Sequence, residues 1–271
     1  MATVNVSSLA EFIEVVAVSG DTVVCPENAE WDANELYPAG RTGDIVIGSE
    51  VRGNGTTIKN LRLNGCFRIN GDQRKYIYDL SIIDLLGSRE TTNQTAVGLF
   101  EGNFHLRGCR ASAILNSNYN RIINWYGANS AYAAEFCSFN IDAAGYFDTF
   151  YASNGARYSR IELHLPNSTA PPIQDGIWFS TCEFAIFAPN ATGGIASFRF
   201  PGSIWHGEMP GISEAWTGGS ISWSGDMMLF STDGMPNFSP HDPAHCKGVT
   251  DAQLRDPAYL RSIGFPIAIE G

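Results

Sequence analysis

A short apolar run that keeps returning constrains this chain more than any other feature. Residues 56–67, TTIKNLRLNGCF, alternate apolar Ile58, Leu61 and Leu63 with polar neighbours and end on a turn at Asn64 and Gly65. The same cadence returns in residues 76–84 (YIYDLSIID), 105–115 (HLRGCRASAIL), 134–143 (AEFCSFNIDA), 158–165 (YSRIELHL) and 179–187 (FSTCEFAIF). Aligned on the central apolar residue, the series is Leu61, Leu80, Cys109, Cys137, Ile161 and Cys182. Its members lie roughly twenty to thirty residues apart.

Each copy is too short to bury a face alone, so stacking on its neighbours must supply the core. Ile, Phe, Tyr and Leu in period-two alternation specify strands rather than helices. Uneven spacing disfavours tightly periodic solenoids, whether leucine-rich or hexapeptide. It suits an all-β, single-stranded parallel β-helix, whose loops vary while its strands stack. A β-sandwich with similar strand spacing is the alternative.

At 271 residues one elongated domain suffices, and 44% hydrophobic content can build its core. The formal charge of −11 argues against nucleic acid and against an anionic membrane surface as partners. No apolar run is long enough to span a membrane. The N-terminal MATVNVSSLAEF has neither a basic region nor an apolar stretch of signal-peptide type, so the expected location is a virion or the cytoplasm of the producing cell. The six cysteines form no CxxC pair. Cys109, Cys137 and Cys182 are expected at equivalent inward positions as reduced, structural thiols.

Both ends carry helix signals. Ser7 or Ser8 can cap a helix in which Leu9, Phe12, Ile13 and Val16 share a face, and Glu11 gives Ser8 the capping-box spacing. Gly20 and Asp21 stop that helix, and residues 22–25 follow as the first strand. Residues 1–25 therefore read as an N-terminal cap, residues 26–236 as the coil, and residues 237–271 as a C-terminal cap. In the last segment Thr250 and Gln253 form a capping box. Asp256 and Pro257 start a second helix that Gly264 closes.

The helix followed by GDTVVCPENAEWD resembles the opening of the pectin-lyase-like right-handed β-helices, in which a Gly-Asp-Thr-apolar step begins the first coil. The resemblance covers residues 4–32 and, through the repeated cadence, about two-thirds of the chain. It implies a right-handed parallel β-helix. That superfamily includes polysaccharide lyases and hydrolases, adhesins and phage tailspikes, so it does not fix a function. The C-terminal wording (Leu254, Arg255, Tyr259, Leu260, Ile263, Gly264, Phe265) is similar to tails that follow β-helices in phage and bacterial surface proteins.

Candidate chemistry is sparse. Glu135, Asp142, Asp148 and Glu162 come from consecutive repeats, and two carboxylates about 5 to 9 Å apart would serve glycoside hydrolysis. Asp175, Gly176 and Ile177 resemble the Asp-Gly-apolar step of polygalacturonase-like hydrolases. The chain departs from that pattern: it lacks an adjacent Asp pair, a Gly before His206 and an Arg-x-Lys. Arg157 and Arg160 lie near Glu162 without a lyase motif. His241, Asp242, His245 and Cys246 are ligand-type residues, but Pro240 and Pro243 deny them a helical frame. No metal and no cofactor is expected. Adjacent aromatics on a strand must face opposite sides. One ring of each pair Trp125–Tyr126, Tyr146–Phe147, Phe150–Tyr151 and Trp178–Phe179 should therefore face outward, and Trp205, Trp216 and Trp223 add to the aromatics. An exposed row could stack on sugar rings or bury against a partner subunit, with packing under long loops as the alternative. Trp125, Tyr126, Tyr151 and Trp178 are the ligand-binding candidates.

Two functions follow. One is a non-enzymatic β-helix component of a virion or surface assembly, such as a phage or prophage tail, fibre or capsid-associated protein. It would pair with itself as a homotrimer or with other virion proteins, with glycan binding as an added role. The other is a polysaccharide lyase or glycoside hydrolase using Glu135, Asp142, Asp148 or Asp175 in a groove.

Overall fold

The computed structural model describes residues 2–18, 20–69, 73–88, 97–116, 119–124, 132–143, 146–147, 150–151, 155–170, 179–196, 202–216, 227–240, 246–265 and 269. Its strands stack in parallel, each on the equivalent strand of the next coil, into a β-helix. Sheet I runs from Thr3–Asn5 and Thr22–Val24 through Glu50–Arg52, Lys75–Tyr78, Phe104–Arg107 and Ala134–Glu135 to Ala156–Arg157. Sheet II is the longest, from Glu30–Asp32 through Ser81–Ser88, Ser138–Ala143 and Arg160–His164 to Cys246–Val249. Sheet III closes the earlier coils, from Ile45–Val46 to Tyr119–Asn124 and its partners. A small fourth sheet begins at Thr192–Ala196. The predicted all-β parallel coil is the observed fold.

Inward residues of all the sheets meet in one apolar column, which includes Ile58, Ile82, Phe139, Ile161, Phe184 and Trp205. Trp205 is fully buried, so it belongs to the core and not to an outward aromatic row, and Phe179 joins it there. Alternation explains the pattern: in Arg160–His164 only Ile161 and Leu163 are buried, and in Ser138–Ala143 only Phe139, Ile141 and Ala143.

The corner between sheets I and II sets everything that follows. From the third coil on it is two residues long. The first is left-handed, at Asp79, Gly108, Phe136, Tyr158, Thr181 and Gly202. The second points inward: Leu80, Cys109, Cys137, Ser159, Cys182 and Ser203, all buried. The pairings Ser81 with Arg110, Arg110 with Ser138, Ser138 with Arg160, Arg160 with Glu183 and Glu183 with Ile204 fix this series. The expected alignment therefore slips at two points. Leu61 follows a left-handed residue, Asn60, but at a separate corner inside sheet II. Ile161 stacks on Phe139, and Ser159 holds the position assigned to it.

Hydroxyl and thiol groups are interchangeable here because each donates to a carbonyl two residues back. Ser159 Oγ donates to Arg157 O at 2.9 Å, Cys137 Sγ to Glu135 O at 3.2 Å and Cys182 Sγ to Ser180 O at 3.4 Å. The oxygens also accept from the preceding coil: Cys137 N donates to Ser159 Oγ at 3.1 Å and Cys182 N to Ser203 Oγ at 3.0 Å. Burial raises the Cys182 thiol to about 12 and Cys25 likewise, and Cys109, Cys137 and Cys182 are buried free thiols at the equivalent inward positions expected of them.

Ser8 caps the helix Leu9–Val16, which buries Leu9, Phe12 and Val16 against the first coil; Phe12 and Trp31 lie 5.7 Å apart, ring to ring. The strand Thr3–Asn5 precedes this helix and pairs with Thr22–Val24, so strand pairing begins earlier than the sequence implied. At the far end the Thr250 and Gln253 capping box and the Asp256 cap are present, starting Asp251–Leu254 and Pro257–Ser262. Leu254, Leu260 and Phe265 pack on Ile204, Leu229 and Val249 as a cluster separate from the main core. Ile204 shares the register of Glu183 on the outer side of sheet II, so these helices cover the last strands from the side. Parallel pairing continues through Cys246–Val249, beyond residue 236.

Candidate functional site

Glu135 and Asp142 are seven positions apart in sequence, yet the left-handed Phe136 turns the chain between them and sends them to different faces. Glu135 lies on the outside of sheet I and Asp142 on the outside of sheet II. Glu162 joins Asp142: Asn140 pairs with Glu162 and Asp142 with His164, which makes the two carboxylates diagonal neighbours. Asp148, Asp175, Trp125, Tyr126, Trp178, His241, Asp242 and His245 lie outside the described residues, as does the side chain of Tyr151. Among the described residues no His, Cys, Asp and Glu grouping is placed to hold a metal, and no helix is long and apolar enough to cross a membrane.

On sheet II, Asp142 lines a groove of about 430 Å³ together with Arg62, Asp84, Ser112 and Asn140, floored by Leu86 and Ile114. A bulge in Ser81–Ser88 shapes one wall: Asp84 is left-handed, and its N–H donates to Ser112 Oγ at 2.9 Å. Next to it, Glu162 contacts His164 Nε2 at 3.1 Å and Arg160 at 3.4 Å. Glu183 contacts His206 at 3.0 Å. This face carries charged groups on neighbouring registers of adjacent strands, with Arg160 Nε 3.8 Å from Glu183.

Sheet I has a different outer face. One outward column reads Arg52, Tyr78, Arg107, Glu135 and Arg157, set by consecutive strand pairings. Glu135 is only 6% exposed and accepts from Arg157 Nη2 at 2.7 Å. His105 stands 4.0 Å away through Nε2, with Nδ1 at 3.0 Å from Tyr132 O and its ring 5.2 Å from that of Tyr76. Burial lowers the His105 pKa below its usual value, outweighing the Tyr132 carbonyl and the Glu135 charge, which both favour the proton.

Aromatic rings flank this column. Phe136 and Tyr158, one corner position further on, stack at 5.1 Å with their planes within 16°. They are 52% and 50% exposed. The Arg107 guanidinium lies 5.5 Å from the Phe136 ring, and that of Arg157 lies 5.7 Å from Tyr158 and 5.3 Å from Tyr132. Tyr76 and Tyr78 are parallel at 6.2 Å. None of these rings was singled out in the sequence. The available signal was the alternation in residues 76–78, Tyr-Ile-Tyr, which sends both tyrosines to one side.

Comparisons with family models, with curated proteins and with solved structures find no match to this chain.

Proposed function

We propose that this chain is a non-catalytic β-helix, a structural or adhesion component of a virion or surface assembly, and that the outer face of sheet I is its contact surface. The observation that carries this reading is the pair Phe136 and Tyr158. A left-handed backbone is unfavourable for a bulky side chain, by about 1–2 kcal/mol per residue. Here it is held at two successive coils, and what it delivers is a stacked, half-exposed ring pair beside a row of guanidiniums. Strain of this kind persists where a function needs it. The helix on the first coil and those that cover the last strands from the side shield apolar surface, which supports a stable rod. The partners expected of such a part are glycan and further copies of itself.

The test is retention of the purified chain on immobilised neutral glycans, acidic glycans and the chain itself. Retention that the double variant Phe136→Asn, Tyr158→Asn loses supports the reading. Retention indifferent to that variant, or release of cleaved sugar, overturns it.

A specific observation also favours a second reading. Asp142 lines a groove and Glu162 is its diagonal neighbour on the adjacent strand, which supports a glycoside hydrolase that works with two carboxylates. In that case Asp142→Ala abolishes the release of reducing ends from a polysaccharide panel. Unchanged cleavage in that variant excludes the site.

A further inference from the structure

The outward column of sheet I is an alternation with a length scale. Arg52, Arg107 and Arg157 occupy every second coil, with Tyr78 and Glu135 between them. Stacked coils rise about 4.8 Å each, so the Cα atoms of these arginines recur about every 9.6 Å along the rod. Arg52 Nε lies 3.3 Å from Glu50 and Arg157 Nη2 2.7 Å from Glu135, and each guanidinium keeps further N–H groups to donate to a ligand carboxylate. Arg107 is exposed, and Arg157, anchored by Glu135, is 41% exposed through its side chain. The chain as a whole is acidic, at a formal −11, so this row stands out against a repulsive background.

We propose that this row binds an extended acidic glycan carrying one carboxylate on every second sugar, lying parallel to the rod axis, with the Phe136 and Tyr158 rings along its flank. This rests on the reading of sheet I as the contact surface and names the ligand. Charge density decides among polyanions. A single nucleic-acid strand carries a charge about every 3.4 Å, roughly three for each interval between successive arginine positions. The surplus would face an acidic protein. A sugar residue is about as long as one coil is tall, so a carboxylate on every second sugar keeps step with Arg52, Arg107 and Arg157. The interleaved Tyr78 then faces the uncharged sugars, which suits stacking of their C–H faces.

The experiment is equilibrium binding of the full chain to four probes of matched length. They are hyaluronan oligosaccharides (alternate carboxylates), oligogalacturonate (a carboxylate on every sugar), neutral dextran oligosaccharides and oligothymidylate. Expected is tightest binding of hyaluronan, weakened by salt. Arg107→Gln should lower that affinity about tenfold or more with the melting temperature unchanged. Phe136→Asn, Tyr158→Asn should weaken it without lowering the melting temperature. Tighter binding of oligothymidylate, or equal binding of oligogalacturonate or dextran, overturns the assignment. If no glycan binds but these variants break self-association, the ligand is wrong and the contact face stands. If the variants change no interaction at all, both fall.

Discussion

In the first coils the corner between sheets I and II turns on residues that tolerate a left-handed backbone: Asn28, Asn54, Asp79 and Gly108. The side chains of Asn28, Asn54 and Asp79 line an open groove of about 810 Å³ with Glu27, Ser81, Gly108 and Arg110. Asn54 also closes the turn by donating from Nδ2 to Cys25 O at 2.9 Å. Further along, Phe136, Tyr158 and Thr181 hold the same conformation with no such local ease. The backbone path is the same in both regions, so the fold does not need aromatic corners. The difference marks where residues that ease a left-handed backbone give way to residues that do not.

That comparison can be broken from its quiet side first, where the largest effect is expected. Asn54→Val places a β-branched residue in the left-handed region and strips Cys25 O of its partner. The two terms together cost about 3 kcal/mol. The readout is a fall in the urea midpoint at constant slope. A change below about 1 kcal/mol would show that these corners are not constrained by backbone conformation.

The inward corner position separates shape from hydrogen bonding. Ser159 accepts from Cys137 N and donates to Arg157 O inside the coil. Ser159→Ala should cost about 2 kcal/mol, the penalty for leaving buried partners unsatisfied. Ser159→Cys should stay within about 0.5 kcal/mol, because Cys already serves at 137 and 182. Equal losses in both variants would mean that volume, not the bond, governs the ladder.

A smaller effect, of opposite sign, is expected at the aromatic corners. Phe136→Asn or Tyr158→Asn alone relieves about 1 kcal/mol of backbone strain but forfeits a stack worth about the same. Either single variant should therefore be near neutral. The double variant relieves strain twice and loses the stack once, so it should be about 1 kcal/mol more stable than the parent. A double-mutant cycle reads that coupling directly. A clearly destabilised double variant would mean that the rings serve the fold.

What the sequence made legible was set by periodicity. The repeated alternation specified parallel stacking, and Ser8, Thr250 and Asp256 announced the helices at both ends. Register was harder to read. A ladder filled by Leu, Cys or Ser alike has no apolar signature, so alignment on apolar residues slipped to Leu61 and Ile161 and missed Ser159 and Ser203. The site was hidden for a related reason. A left-handed Asn before Gly can be recognised from sequence, but a left-handed Phe136 cannot. Without that turn Glu135 and Asp142 look like neighbours, when the corner parts them onto two faces.

The smallest expected effect sharpens the comparison from within sheet I. His105 faces Glu135, Tyr76, Arg74 and Arg107, and burial holds its pKa below the usual 6.5. Because the folded value is the lower one, the unfolded chain takes up the proton first as pH falls. Stability attributable to this ring is therefore complete above about pH 6.5 and declines below it, levelling once the folded imidazole also titrates. Comparing urea midpoints at about pH 8 and about pH 5 for the parent and for His105→Gln isolates that part of the acid response. The parent should lose more than the variant over that interval. The opposite order would mean that the Glu135 charge dominates His105, and that sheet I gains rather than loses from a proton beside its arginine row.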